Sequence, residues 1–124
     1  MMGTCSFRKG NRLLKREDFL RIGAAGRKIK TRHFIIIFSK NDKGLRRLGI
    51  TASKKTGGAV QRNRVKRLVR EFFRLNRKRL ADNRDYIIIA GRGAWRLSFS
   101  DVKEELKSAL GSRGLLSELS ENRG

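Results

Sequence analysis

Hydrophobic positions recur along this chain with two different periods, and the change from one to the other outlines the elements. Alternation marks the strands. HFIIIFS sets Phe34, Ile36 and Phe38 on one side and Ile35 and Ile37 on the other, the pattern of a strand with apolar residues on both faces. Leu48, Ile50 and Ala52 alternate with Gly49 and Thr51, which predicts a second strand antiparallel to the first, beyond the turn signal Asn41-Asp42-Lys43-Gly44. Tyr86, Ile87, Ile88, Ile89 and Ala90 form a third apolar strand.

Helical spacing fills the intervals. Leu13, Leu14, Phe19, Leu20 and Ile22 predict a short helix over residues 12–22, with Gly23 and Gly26 at its end. From Gln61 onward a long helix is expected, entered through Gly57-Gly58 and ended by Asp82-Asn83. At about 100° per residue, Val65, Leu68, Val69, Phe72, Phe73 and Leu75 share one arc, and Lys66, Arg67, Arg70, Arg74, Arg77 and Lys78 the opposite arc. Residues 91–97 read as a loop carrying Trp95. Ser100-Asp101 could cap a last helix on which Val102, Leu106, Ala109 and Leu110 recur on one side. The polar arm of residues 1–11 and the tail from Gly111 are expected to be loose. The sum is an α+β fold: a single-domain α/β sandwich with a small mixed sheet and packed helices, in the order helix, strands, long helix, strand, helix. No proline, repeat or linker divides the chain, so residues 1–124 are expected to be one domain with its core at about 11–110.

Charge turns this outline toward a partner. The chain has 32 Lys+Arg against 11 Asp+Glu, a formal net charge of +21. Residues 53–80 alone carry eleven cations and one acid, Glu71. A strip so little opposed calls for a polyanion, and its excess of arginine suits phosphate contact and base stacking. Cys5 is the only cysteine, which excludes an internal disulfide and a cysteine-based zinc site and fits a reducing compartment. The first residues, MMGTCSFRKG, lack the apolar core of a signal peptide, and the run from Phe34 to Phe38 is too short to span a bilayer. A soluble, cytoplasmic protein with no membrane partner is expected.

An enzyme site is hard to assemble from these residues. His33 is the only histidine, so no two-histidine metal motif exists, and a solvated or structural role suits it better than catalysis. Glu17-Asp18 and Glu104-Glu105 are adjacent pairs that diverge on a helix, and they read as solvated or dipole-favoured acids. Gly57-Gly58 does not complete a P-loop, although backbone amides opening the long helix could hold a phosphate oxygen. RNA binding remains. Phe19 is a candidate for stacking on single-stranded bases and equally a candidate for burial. From the residues alone, a general RNA-binding protein of ribosomal or chaperone-like kind stays open. So, on thinner grounds, does a protein nuclease acting alone. No helix-turn-helix pair supports a sequence-specific DNA binder.

Ser53-Lys54-Lys55, Gly57, Ala59-Val60, Arg62-Asn63-Arg64, Lys66-Arg67-Leu68 and Arg70 together resemble the signature of the bacterial ribonuclease P protein. The match extends to Asn11-Arg12-Leu13, Asp18-Phe19, Gly26, Arg32, Phe34 and the stretch from Asp85 to Ala90, roughly residues 11–110. The resemblance implies the small basic subunit of an endoribonuclease that removes the 5′ leader of precursor tRNA. Its catalytic groups lie in the RNA subunit, with Mg2+ held mainly there, and it takes no small-molecule substrate. It implies that Arg62, Asn63, Arg64, Lys66 and Arg67 contact the ribonuclease P RNA. The precursor tRNA 5′ leader would lie in a cleft at Phe19, Ile35 and Ile37, with Ser53, Lys54, Lys55 and Arg70 near its phosphates. It also implies a left-handed βαβ crossover through the long helix, where pattern alone predicts the right-handed form. The chain departs from the family pattern at three positions. Gly23 and Ile37 stand where aromatics are frequent and Gly58 where asparagine is frequent. Leader binding is therefore expected to rely more on shape and charge than on stacking.

Overall fold

The computed structural model describes residues 16–41, 46–81 and 83–116. The N-terminal arm, the match at Asn11-Arg12-Leu13, the turn residues Asp42-Lys43-Gly44, the helix terminator Asp82 and the last part of the tail lie outside the described residues, as does the side chain of Phe19.

Among the described residues, three helices and four strands follow in the order α1 (Arg16–Ala25), β1 (Arg27–Lys30), β2 (Phe34–Lys40), β3 (Arg46–Ala52), α2 (Ala59–Leu75), β4 (Arg84–Ala90) and α3 (Phe99–Ser112). The sheet is mixed, ordered β1-β2-β4-β3. β2 and β4 pair antiparallel, with Ile36 opposite Ile88, while β3 and β4 pair in parallel, with Ile50 beside Ile88. β2 and β3 therefore run in opposite directions, as the sequence predicts, yet they are not neighbours. β4, apolar on both faces, takes the central place between them.

The period-two pattern explains the layers. Phe34, Ile36, Leu48, Tyr86 and Ile88 point to one face and form the main core with Val65, Val69, Phe72 and Phe73 of α2 and Val102, Leu106 and Leu110 of α3. On the opposite face Ile37 and Ile87 pack under Ile22 of α1, a smaller second cluster. Gly26 makes that docking feasible. A Cβ there would stand 2.7 Å from the Ile22 carbonyl oxygen and 2.9 Å from that of Phe38, closer than real side chains come.

The long helix stops earlier than expected. Asn76, buried, donates its backbone N–H and its side-chain Nδ2 to the Phe72 carbonyl, and a short 3-10 turn (Arg77–Arg79) follows. Leu75 is consequently 55% exposed instead of sharing the core arc. The last helix begins at Ser98, whose Oγ accepts from the Asp101 N–H while the Asp101 carboxylate accepts from the Ser98 N–H. The segment after it is not loose as far as Leu116. Leu115 and Leu116 are buried, the Leu115 carbonyl accepts from Ala81 N–H, and Leu116 bridges Leu80.

The acids expected to be solvated include two that hold the layers together. Glu105 of α3 accepts from Thr31 Oγ1, the His33 backbone N–H at 2.6 Å and His33 Nδ1–H at 2.9 Å, tying α3 to the β1–β2 turn. Burial alone would raise its carboxyl, but the hydrogen bonds from Thr31 and His33 outweigh that and hold it below the ordinary carboxylate value. A depressed folded value means stability that is present above the unfolded carboxylate range and lost as pH falls through the folded one. Glu105→Gln is expected to cost about 1–3 kcal/mol near neutrality. The gap to the parent should shrink on acidification; urea melts at pH 7 and pH 4 giving equal gaps would refute it.

Asp18 of α1 accepts from Arg21 at 2.8 Å and faces Arg47 at 3.5 Å. Behind it Asp85, fully buried, accepts from Arg47 Nε at 2.8 Å, Arg47 Nη2 at 2.9 Å and Asn41 Nδ2 at 2.8 Å. The Asp85 hydrogen bonds raise the Arg47 guanidinium above its ordinary value even though burial opposes them.

Candidate nucleic-acid interface

The basic region starts at the turn leaving β3. Thr56, buried, donates its N–H to the Ser53 carbonyl and its hydroxyl to the Ala90 carbonyl, so the turn is fixed to the end of β4. Gly57 follows at φ 150°, and a Cβ there would meet Gln61 at 2.9 Å. Gly58 offers no capping side chain; instead the Gln61 side-chain oxygen turns back to accept from the Gly58 N–H. This anchoring leaves Ser53, Lys54 and Lys55 exposed beside the opening turn of α2.

Along α2, Asn63, Arg64, Arg67 and Arg70 are exposed and Arg62 and Lys66 half-buried. Five of these are cations, and they are not equivalent. Arg64 donates from Nε to the Trp95 carbonyl at 3.0 Å and from Nη2 to the Leu97 carbonyl at 2.9 Å. It clamps α2 to the short 3-10 turn (Ala94–Arg96) that precedes α3. Arg62, Lys66 and Arg70 stand roughly 120–160° around the helix from it and face away from that turn. Farther along, Arg74 is held by Glu71, whose carboxyl the Arg74 hydrogen bond lowers. The positive field of α2 is therefore strongest in its first three turns. Arg64→Lys keeps the charge and loses the two-pronged clamp. It should lower stability by about 1 kcal/mol and weaken RNA binding without changing the salt dependence. Arg64→Gln removes the charge as well, and a salt slope reduced by a full unit in that variant would show that Arg64 contacts a phosphate instead.

The opposite face of the sheet carries the second part. Register places Lys30, Ile35, Ile89 and Thr51 in one row and Lys28, Ile37, Ile87 and Gly49 in the next. The first row is open: Ile35, Ile89 and Thr51 are half-buried. The second is not. Ile37, expected on the cleft surface, is 5% exposed because Ile22 covers it. The open row lies next to the strand ends from which Ser53, Lys54 and Lys55 emerge, so the apolar patch and the basic turn are continuous. Lys28 and Lys30, both exposed, flank it on the other edge. Sequence reasoning missed them because RKIK reads as a charge run; its alternation around Ile29 was the available signal. Leu20 of α1 is exposed, and a Cβ on Gly23 would meet nothing within 4 Å, so the space for an aromatic there exists.

Carboxylates do not gather into a metal site: among the described residues no group of three or more His, Cys, Asp and Glu side chains could hold an ion. Nor is any helix among them long and apolar enough to cross a membrane.

The family model for ribonuclease P matches residues 7–113. The chain belongs to the bacterial ribonuclease P protein family. It is 48% identical over 105 residues, 85% of this chain and 90% of the other, to the ribonuclease P protein component of Desulforapulum autotrophicum. Against that of Syntrophus aciditrophicus it is 44% identical over 105 residues, 85% of this chain and 88% of the other. The ribonuclease P protein of Staphylococcus aureus superposes with a TM-score of 0.80 at 32% identity, covering 88% of this chain and all of that one. That of Thermotoga maritima gives 0.75 at 35% identity, over 82% and 96%. As a member of this family the chain is the protein subunit of an endoribonuclease, ribonuclease P, in tRNA 5′ maturation.

Proposed function

We propose that this subunit binds two RNA elements on two adjoining surfaces, acting as one RNA-binding domain. The exposed edge and outer face of α2, with Arg62, Asn63, Lys66 and Arg67, contact the ribonuclease P RNA, and Arg64 fixes the helix in place for them. The half-buried row of Ile35, Ile89 and Thr51 receives the single-stranded 5′ leader of precursor tRNA, together with Phe19. Ser53, Lys54, Lys55 and Arg70 on one side and Lys28 and Lys30 on the other reach its phosphates. The observation that carries this reading is the continuity of an open apolar row with a basic turn and helix start. Location in the cytoplasm follows, where bacterial precursor tRNA is made.

Among the described residues, magnesium does not fit the carboxylates of Asp18, Asp85 and Glu105. Asp18, Asp85 and Glu105 are each occupied by Arg47, Arg21, Asn41, Thr31 or His33. In this reading Mg2+ belongs to the RNA subunit, and the protein's part is to hold substrate and RNA together.

The test is precursor tRNA cleavage at low magnesium with protein alone, ribonuclease P RNA alone, both, and neither. Cleavage restored only in the combined sample is expected. No restoration would leave a general RNA-binding protein, and cleavage by protein alone would return attention to its acids.

A further inference from the structure

The turn from β4 into α3, GRGAWRL, carries the chain's single tryptophan, and neither surface described above makes use of that ring. The turn is firmly held. Ala94 is fully buried, and Gly93 at φ 80° lets the chain reverse there. The N–H groups of Ala94, Arg96 and Leu97 donate to the carbonyls of Gly91, Gly93 and Ala94. From the other side Arg64 of α2 grips the Trp95 and Leu97 carbonyls. Trp95 is half-buried and packs against the main core. Arg96 lies over its ring, with the guanidinium carbon 5.3 Å from the centroid, and is exposed to solvent. A ring therefore positions this cation, and such a contact leaves the charge and the in-plane N–H donors available. Asp101, the acid nearest in sequence, accepts from the Ser98 N–H at the start of α3. On α2, Val60 and Arg67 are both exposed and stand within about 60° of Arg64, so the helix side that meets the turn continues it.

We propose that Trp95 and Arg96 form a stacking platform for one unpaired base of the ribonuclease P RNA, with Arg67 on an adjoining phosphate. A planar guanidinium held over an indole ring can stack on a base while its N–H groups reach the backbone. Position decides which RNA it meets. Trp95 packs on the α2–α3 side of the sheet, whereas Ile35 and Ile89 of the open row lie on the other face. A base at Trp95 therefore belongs to the RNA that α2 contacts and not to the leader. The proposal rests on the reading of α2 as the ribonuclease P RNA interface and deepens it, adding a base contact to the phosphate contacts.

Two variants test the platform. Arg96→Lys keeps the charge and loses the planar group; Trp95→Leu keeps an apolar side chain against the core and loses the ring. Each is titrated with ribonuclease P RNA over a range of salt, and precursor tRNA is titrated onto holoenzyme assembled at saturating protein. Both variants should bind ribonuclease P RNA roughly five- to tenfold more weakly at the parent's salt slope, and precursor tRNA as the parent does. Trp95 is the only tryptophan, so its emission reads the site directly: in the parent, its quenching by acrylamide should fall on saturation with ribonuclease P RNA. Parent affinity in Arg96→Lys, with lost affinity and a flattened slope in Arg96→Gln, would overturn stacking in favour of a plain phosphate contact. A loss confined to precursor tRNA would overturn the choice of RNA. Arg62→Ala/Arg67→Ala serves as control. Parent affinity in Arg96→Lys and Trp95→Leu with unchanged quenching, while the control is impaired, would overturn the platform alone. An unimpaired control would overturn the α2 interface on which it rests.

Discussion

Replacing Asp85 with alanine is expected to destabilise the fold by about 3–5 kcal/mol, the largest loss from any single polar side chain described. Asp85 is fully buried and accepts three hydrogen bonds, two of them from Arg47. Its removal leaves a guanidinium that is 10% exposed with Asp18 as its remaining acid at 3.5 Å. The pair is costly to break but not to exchange. Arg47→Met/Asp85→Leu, which removes both charges, should recover most of the loss. Urea unfolding at pH 7 decides the matter: a loss under about 1 kcal/mol for Asp85→Ala would mean that water readily replaces the pair.

Arg62→Ala combined with Arg67→Ala should weaken binding of the ribonuclease P RNA by roughly 100-fold or more, from two charge-assisted contacts of about 1.5–3 kcal/mol each. The salt dependence should flatten by about two units. Neither side chain has a role in the core, so thermal stability should stay near that of the parent. Equal affinity across the salt series would move the interface off the exposed edge of α2.

The apolar periodicities were enough to read most of the fold. β2, β4 and the buried arc of α2 announce themselves because single-type apolar patterns of five or more residues leave few alternatives. What escaped has physical reasons. β1 carries one buried residue, Ile29, and finds its place only through β2. The insertion of β4 between β2 and β3 is a tertiary choice, driven by a strand that must be covered on both faces. Leu75 fell outside the core because Asn76 ends the helix, and Leu115 and Leu116 joined it because Leu80 and Ala81 offered them backbone partners. At the candidate interface, the basic residues of α2 and its entry turn were legible as a charge strip. The division of labour within it was not. That Arg64 grips two carbonyls, that Arg74 is taken by Glu71 and that Ile37 is roofed by Ile22 are all details that no single stretch of sequence displays. The Arg47–Asp85 pair left only a faint trace, two charges inside otherwise apolar strands.

The central position of β4 also governs the order in which this protein can come into being. β2 and β3 share no hydrogen-bonded edge, so a nascent chain that has reached only the end of α2 holds strands without a complete sheet and a helix without a surface to cover. Closure must wait for residues 84–90 to slot between segments made some forty residues earlier, a non-local step of the kind that slows folding. The highly cationic stretch before β4 is made ahead of that step. Polyanions that screen its self-repulsion would favour the compact chain, so the RNA this subunit serves is also suited to hasten its maturation.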